Sequence, residues 1–199
     1  MGLRVLIADD EPIIRLGLRT ILEEQGYEIV GEADTGWKAI ALARDMAPDL
    51  IILDIRMPQM DGLQAARAIM AERPTAILLL TAYADRELVE EAKRCGVLAY
   101  LVKPFKEADL IPAMEIAVAR FRELQILQQE AGTLRDAIEA RELIEQAKRV
   151  LMRYLDVSEA EAFGRIRRLS MNSRKPLKEV AEAILISVPQ EEKGRRRRR

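Results

Sequence analysis

Short, unbroken apolar runs that end in charged or hydroxyl residues most constrain what this chain can fold into. Val5-Leu6-Ile7-Ala8 runs into Asp9-Asp10-Glu11, and Leu50-Ile51-Ile52-Leu53 runs into Asp54. Leu78-Leu79-Leu80 ends in Thr81, and Ala99-Tyr100-Leu101-Val102 ends in Lys103-Pro104. Runs this short and this uniformly apolar suit strands buried on both faces of a parallel sheet. Five strand runs alternate with helical segments through about residue 120, and helices are expected to begin near Pro12, Gly36, Gly62, Asp85 and Lys106. The alternation predicts an α/β fold with a doubly wound, five-stranded parallel sheet.

If the first two runs lie side by side in such a sheet, their carboxyl ends bring Asp9, Asp10 and Asp54 together at a topological switch point. Clustered carboxylates repel unless a cation sits among them, and hard oxygen ligands at this density suit Mg²⁺. Thr81 and Lys103 end their own strands on the same edge. A hydroxyl and an ammonium are donors that developing negative charge on a phosphoryl group requires. The chemistry indicated is metal-assisted phosphoryl transfer onto a carboxylate. Each element alone has a plainer reading. An aspartate after an apolar run commonly ends a strand, and Asp9-Asp10 could cap the helix that starts at Pro12. It is four elements at four strand ends, in order, that carry the reading.

These residues resemble the receiver domain of two-component response regulators. Asp9-Asp10, Asp54 within Asp-Ile-Arg-Met-Pro-Gln-Met-Asp-Gly, Thr81-Ala82 and Lys103-Pro104 match the family pattern one by one. The resemblance covers roughly the first 120 residues. It implies a flavodoxin-like sheet of strand order 2-1-3-4-5, with Asp54 accepting phosphate from a partner sensor histidine kinase. It further implies that Asp9, Asp10, Asp54 and the Arg56 backbone carbonyl hold Mg²⁺, that Thr81 and Lys103 grip the phosphoryl group, and that the Lys103-Pro104 bond is cis. Thr81 and Tyr100 would form the conformational switch, with an ordinary half-buried tyrosine as the plainer alternative for Tyr100. The chain is thus expected to be a phospho-acceptor and not an enzyme, with at most Mg²⁺-dependent self-phosphorylation from small donors and autodephosphorylation.

Composition fits a two-part protein in a reducing, cytoplasmic setting. The 199 residues include one cysteine, so no intramolecular disulfide can form, and no histidine, so phosphate must come from another molecule. No run is apolar for long enough to span a bilayer, and the sequence enters its first strand without a signal peptide. The net charge of −1 conceals an asymmetry. Residues 142–199 hold 15 Lys/Arg against 9 Asp/Glu, a balance of +6 that leaves −7 for the remainder. Arg195 to Arg199 supply five of those charges; they could clamp nucleic acid, or be a disordered or added terminus. Between residues 165 and 178 stand Arg165, Arg167, Arg168, Arg174, Lys175 and Lys178 with no acidic residue among them, a pattern that suits a polyanion.

Pro112 is expected near the first turn of the last receiver helix, where its missing N–H costs little. From there to about Tyr154 no proline interrupts the pattern. Leu110, Met114, Ala117, Phe121 and Leu124 step by four and three, and Leu127, Ala131, Leu134 and Ile138 continue after a slip in register. This stripe predicts a coiled-coil linker over 108–142 that pairs two copies, with a monomeric helix folded back on the receiver as the alternative. Three amphipathic segments follow, expected as a small three-helix bundle over 143–188, and 189–199 as a disordered basic tail. The first carries Leu143-Ile144, Ala147, Val150-Leu151 and Leu155. The second opens at Ser158 with Glu161 as a capping box and is expected to bury Ala162, Phe163, Ile166 and Leu169. The third follows Pro176 with Leu177, Val180-Ala181 and Ile184-Leu185.

This region resembles the ANTAR domain, an RNA-binding transcription-antitermination module. Ile144-Glu145-Gln146-Ala147-Lys148, Leu151-Met152, Ser158 to Phe163, Leu169-Ser170-Met171-Asn172 and Leu177 to Ala181 carry the match. Ser170 stands where alanine is usual. The resemblance implies binding of RNA stem-loops in nascent transcripts that compete with a terminator. Lys148, Arg168, Asn172, Arg174 and Lys175 are the candidate RNA contacts, serving phosphates and splayed bases. Tyr154 could stack on a base or pack at a helix end, and Lys148 could be one solvated lysine among many. A phosphorylation-activated RNA binder, homodimeric when phosphorylated and without a membrane partner, is the expected whole. The competing outputs are a helix-turn-helix DNA binder and a module for protein interaction alone. Glu179 and Glu182 on the polar side of the third helix argue against insertion into a DNA groove.

Overall fold

The computed structural model describes residues 2–82 and 86–187, and for 86–89 the backbone alone. The expected helix start at Asp85 and the tail 189–199, with Arg195 to Arg199, lie outside the described residues. The chain divides into two units, Met1–Ile126 and Leu127–Arg199.

The first unit is a three-layer α/β/α sandwich. Its strands are β1 (Arg4–Ala8), β2 (Glu28–Ala33), β3 (Leu50–Asp54), β4 (Ala76–Thr81) and β5 (Ala99–Val102). They are parallel throughout and lie in the order β2-β1-β3-β4-β5, as expected. Parallel pairing requires a crossover after each strand, and the helices α1 (Pro12–Glu24), α2 (Gly36–Met46), α3 (Gly62–Glu72) and α4 (Arg86–Arg94) provide it. The start of α5 (Glu107–Leu155) completes the outer layers. Alternate strand residues serve opposite faces. Leu6, Ala8, Ile51, Leu53, Ile77 and Leu79 pack with α2, α3 and α4. Val5, Ile7, Leu50, Ile52, Leu78 and Leu80 pack with α1 and α5. All five residues of β3 and all six of β4 are buried, which is why these runs contain no polar residue until the last.

Helix starts follow local chemistry. Pro12 opens α1, Thr35 caps α2 through its side-chain oxygen, and Asp61 accepts the Gln64 N–H to open α3. Helix α5 begins at Glu107, so Pro112 lies in the second turn and not the first. The Ala108 carbonyl there lacks its helical donor, a loss its exposed position leaves water free to offset.

The expected continuous stripe on α5 is two stripes. Leu110, Met114 and Ala117 are buried in the core of the first unit. Leu127, Leu134 and Ile138 are exposed by 55%, 64% and 53%. The register slip marks where the helix ceases to be a sheet-covering layer.

In the second unit, α5 continues unbroken through Leu155, followed by α6 (Glu159–Ser173) and α7 (Leu177–Ser187). The capping box is present: Ser158 Oγ accepts the Glu161 N–H, and Glu161 accepts the Ser158 N–H at 2.9 Å. The core is thin. Ala147, Ile166, Val180 and Ala181 are buried, with Leu143, Ile144, Leu151, Leu177, Ile184 and Leu185 around them. Phe163 and Leu169, expected in that core, are instead exposed by 40% and 49%, and Leu155 by 45%. Helix α6 reaches the core through a strip one residue wide, Ala162 and Ile166, so its neighbours on either flank remain in water.

Candidate functional site

The sheet delivers its polar strand ends to one edge. Asp9 follows β1, Asp54 ends β3, Thr81 ends β4 and Lys103 follows β5. Asp9 is fully buried, Asp54 and Thr81 are each 5% exposed, and Asp10 is exposed. One carboxylate oxygen from each of Asp9, Asp10 and Asp54 falls within 4.8 Å of the others.

Lys103 ties the buried pair together. Its Nζ lies 2.7 Å from Asp9 Oδ2 and 2.8 Å from Asp54 Oδ1, with Glu11 Oε1 at 3.8 Å. The remaining oxygens are also held: Asp9 Oδ1 accepts the Glu11 N–H, and Asp54 Oδ2 accepts the Arg56 N–H, each at 2.9 Å. Arg15 donates to the Asp9 carbonyl at 2.7 Å and lies 3.6 Å from Glu32, bracing the β1–α1 turn. Lys103 is itself positioned by its backbone N–H, which donates to the Thr81 carbonyl at 2.7 Å, and its bond to Pro104 is cis.

Burial raises the Asp54 carboxyl above the ordinary carboxylate value; the hydrogen bond and charge of Lys103 oppose that rise without cancelling it, and Asp9 adds to it. For Lys103, burial acts to lower the ammonium, but its hydrogen bonds to Asp54 and Asp9 prevail and raise it. The site therefore contains a desolvated carboxylate held beside a firmly protonated amine. That arrangement keeps a nucleophilic oxygen from being fully masked by water and places a cation where phosphoryl charge would arrive.

Two features were not legible as site residues. Gly62 opens α3 directly against Asp54: a Cβ there would overlap the Asp54 carbonyl, and the Gly62 N–H donates to the Ile55 carbonyl at 2.8 Å. A cleft of about 520 Å³ also opens beside the carboxylates, lined by Asp10, Arg56, Met57, Pro58, Asp61 and Glu91 among others. Tyr100 is 45% exposed. Its register partner is Leu79, so Tyr100 shares a sheet face with Thr81 two residues on.

In the second unit the candidate RNA residues separate into two kinds. Arg168, Asn172, Arg174 and Lys175 are exposed. Lys148 is not: its side chain is 10% exposed and its Nζ lies 2.8 Å from Glu145 and 2.5 Å from Glu159. Lys175 approaches Glu179 at 3.7 Å, and Lys178 pairs with Glu139 at 2.7 Å. Arg167, Arg168 and Arg174 form no ion pair among the described residues.

Comparison with known proteins agrees with both halves. A family model for the response regulator receiver domain matches residues 5–115, and one for the ANTAR domain matches residues 132–185. The transcriptional regulatory protein PdtaR of Mycobacterium tuberculosis H37Rv is 49% identical over 182 residues, covering 92% of this chain and 89% of that protein. The receiver domain of the putative response regulator NarL from M. tuberculosis superposes with a TM-score of 0.57 at 35% identity, covering 59% of this chain and 97% of that one. The CheX–CheY complex with BeF₃ and Mg²⁺ from Borrelia burgdorferi gives a TM-score of 0.55 at 27% identity, over 56% of this chain and 85% of that one. Among the described residues, no helix is long and apolar enough to cross a membrane.

Proposed function

We propose that this chain, which belongs to the response regulator receiver family and carries an ANTAR RNA-binding output domain, is a phosphorylation-gated RNA binder acting on transcription termination in the cytoplasm. The observation that carries the gating is the Lys103 bridge between Asp9 and Asp54, at 2.7 and 2.8 Å.

The donor set fits a Mg²⁺ ion. Asp9, Asp10 and Asp54 supply oxygens within 4.8 Å of one another, and the Arg56 carbonyl completes the set that the family resemblance implies. A bound Mg²⁺ would supply charge neutralisation for phosphate approaching the three carboxylates. The Borrelia CheY complex contains Mg²⁺ and BeF₃, which supports the same ligand classes here.

An Asp54 oxygen attacks phosphorus of a phosphohistidine on a sensor kinase. The P–N bond breaks, a P–O bond forms, and the departing imidazole nitrogen takes up a proton. Lys103, already on Asp54 Oδ1, needs little movement to meet a phosphoryl oxygen, so its reorganisation cost is small. Thr81 ends the adjacent strand and would be drawn toward the same group. Tyr100, on the Thr81 face and still half exposed, would then move into the space Thr81 leaves. Phosphorylation acts only through a difference in stability between the two arrangements. The chain itself is a phospho-acceptor whose turnover is limited to its own acyl phosphate.

The exposed Leu127, Leu134 and Ile138 support pairing of two copies of the linker, which would present two RNA-binding bundles together. Asp54→Asn tests the reading. It should abolish labelling by acetyl phosphate or a kinase in Mg²⁺ and abolish phosphate-stimulated readthrough of a terminator in purified transcription. Undiminished labelling would reassign the acceptor, and tight, specific binding of a DNA operator with no effect on readthrough would reassign the output.

A further inference from the structure

The two flanks of α6 differ in a way that selects one of them as the RNA face. One flank carries Glu161, Arg165, Arg168 and Asn172, at spacings of four, three and four. Glu161 is ionised and engaged there: its carboxylate accepts from Ser158, which lowers its pKa first, and Arg165 lowers it further. The other flank carries Phe163, Arg167 and Met171 at successive spacings of four, with Arg174 at the end of the helix. Glu159 opens this row one turn before Phe163, with its carboxylate 2.5 Å from Lys148, and no acidic residue follows between Phe163 and Arg174. Phe163 is 40% exposed and Met171 60%, and Arg167 and Arg174 form no ion pair among the described residues.

We propose that Phe163 is a base-stacking platform and that Arg167, one turn on, and Arg174, at the far end of the helix, are phosphate contacts, so that RNA lies along the Phe163 side of α6. This rests on the RNA-binding reading of the domain and specifies which surface performs it. An exposed aromatic ring beside the small core of a marginal bundle costs apolar burial, because a ring turned inward would add to a core of four buried residues. A ring left in water on the same side of the helix as two uncompensated guanidiniums matches a ligand that offers π-faces and phosphates at once. An acidic protein surface would satisfy the arginines but gives the ring no stacking partner. Each flank opens on a glutamate, Glu161 on one and Glu159 on the other, and Glu159 is paired with Lys148; what distinguishes the Phe163 flank is an exposed ring one turn from an arginine that no carboxylate compensates.

The sequence could not separate these flanks, because the spacing of Ala162, Phe163, Ile166 and Leu169 fits a broad buried face. Only the narrow contact strip at Ala162 and Ile166 puts Phe163 outside it.

The test uses the full chain, with and without acetyl phosphate, and a pool of RNA hairpins with randomised loops containing 5-bromouridine. Closed duplexes of the same stem serve as the comparison. Phe163→Leu keeps apolar bulk and removes the ring. It should weaken hairpin binding by about tenfold, the order expected for one lost stacked base, and leave duplex binding unchanged. Phe163→Tyr should restore it. Arg167→Ala and Arg174→Ala should each reduce the log–log salt slope by roughly 0.7 to 0.9 for hairpin and duplex alike. Near-ultraviolet irradiation should crosslink loop nucleotides to the peptide containing Phe163. Thermal melts of every variant identify any loss due to unfolding, and the crosslink map of the unmodified chain does not depend on them. Wild-type affinity in Phe163→Leu, or crosslinks confined to the peptide of Arg168 and Asn172 in the unmodified chain, would overturn the assignment while leaving RNA binding intact. An unmodified chain that retains neither hairpins nor duplexes would overturn the RNA-binding reading and this inference with it.

Discussion

Lys148 on α5 and Glu159 in the first turn of α6 form an ion pair of 2.5 Å, and Glu145 completes the clasp from one turn earlier on α5. The hydrogen bonds to Glu145 and Glu159 raise the Lys148 ammonium above its ordinary value. A lysine engaged on two carboxylates, and 10% exposed, is poorly placed to meet phosphate as well. The clasp fixes the corner between α5 and α6, and so the angle at which α6 presents its arginines. Lys148→Ala should lower the melting temperature of the second unit and weaken RNA binding to the correct and a scrambled loop by the same factor. A loss confined to the correct loop, with unchanged melting, would return Lys148 to the RNA-contacting set.

Gly62 is fixed by its contact with Asp54. Its N–H donates to the Ile55 carbonyl, and a Cβ would overlap the backbone carbonyl of Asp54. The obstacle is backbone, which cannot rotate away as a side chain could. Gly62→Ala should destabilise the receiver by about 1–3 kcal/mol, the usual range for overpacking. It should also slow acetyl-phosphate labelling by displacing Asp54 from Lys103. Denaturant unfolding and labelling rates check both. Unchanged stability would show that α3 can shift away from β3 without disturbing the site.

The receiver was readable because its code is positional. A run such as Leu50 to Leu53, alternating with helical segments, suits a central strand, and a strand of known direction puts Asp54 at a known edge. Neighbouring strands then place Asp9, Thr81 and Lys103 without any knowledge of side-chain contacts. The helical half has no equivalent anchor. A period of about 3.6 says that Phe163 and Leu169 lie near the apolar side of α6, but not how wide the contact is. The α5 stripe likewise reads as one seam, although Met114 packs on a sheet and Leu134 faces water. Lys148 could not be told from a free lysine, because Glu159 reaches it only after the chain turns at Asp156, where φ is 50°.

Asp54 offers a titration whose sign is fixed by burial. Its pKa in the folded protein lies above the ordinary 3.8, so the folded protein holds this proton more tightly than the unfolded chain. Stability therefore falls as pH rises from 3.8 through the folded pKa, and the cost persists at neutral pH. Asp54→Asn removes that cost, while Lys103 keeps Asp9 as a partner. In metal-free buffer at neutral pH the variant should melt above the unmodified protein, with the advantage fading as pH falls toward the ordinary carboxylate value. Mg²⁺ should raise the melting temperature of the unmodified protein more than that of the variant, because only the former offers three carboxylates. A variant that melts well below the unmodified protein in metal-free buffer would mean that the Lys103 pair outweighs desolvation.

Leu134 and Ile138 bear on how the phosphorylation signal reaches RNA. They are exposed by 64% and 53%, four residues apart on one side of α5, with Leu127 seven before Leu134. Solvation of three large aliphatic side chains along one helix is unfavourable by an amount that pairing would recover, at about 25 cal/mol per Å² of apolar surface covered. Because both side chains are already in water, Leu134→Lys with Ile138→Lys should not disturb either core. The double variant should therefore retain its melting temperature and its labelling at Asp54, yet sediment as a monomer after phosphorylation, under conditions in which the unmodified chain should sediment as a dimer. Its affinity for a single hairpin should match the unmodified chain, and its affinity for two hairpins in tandem should fall by 10² or more, the order at which linked sites reinforce each other. If the phosphorylated, unmodified chain is itself monomeric at high concentration, this face is covered by something other than a second copy, and the linker does not bring two bundles together.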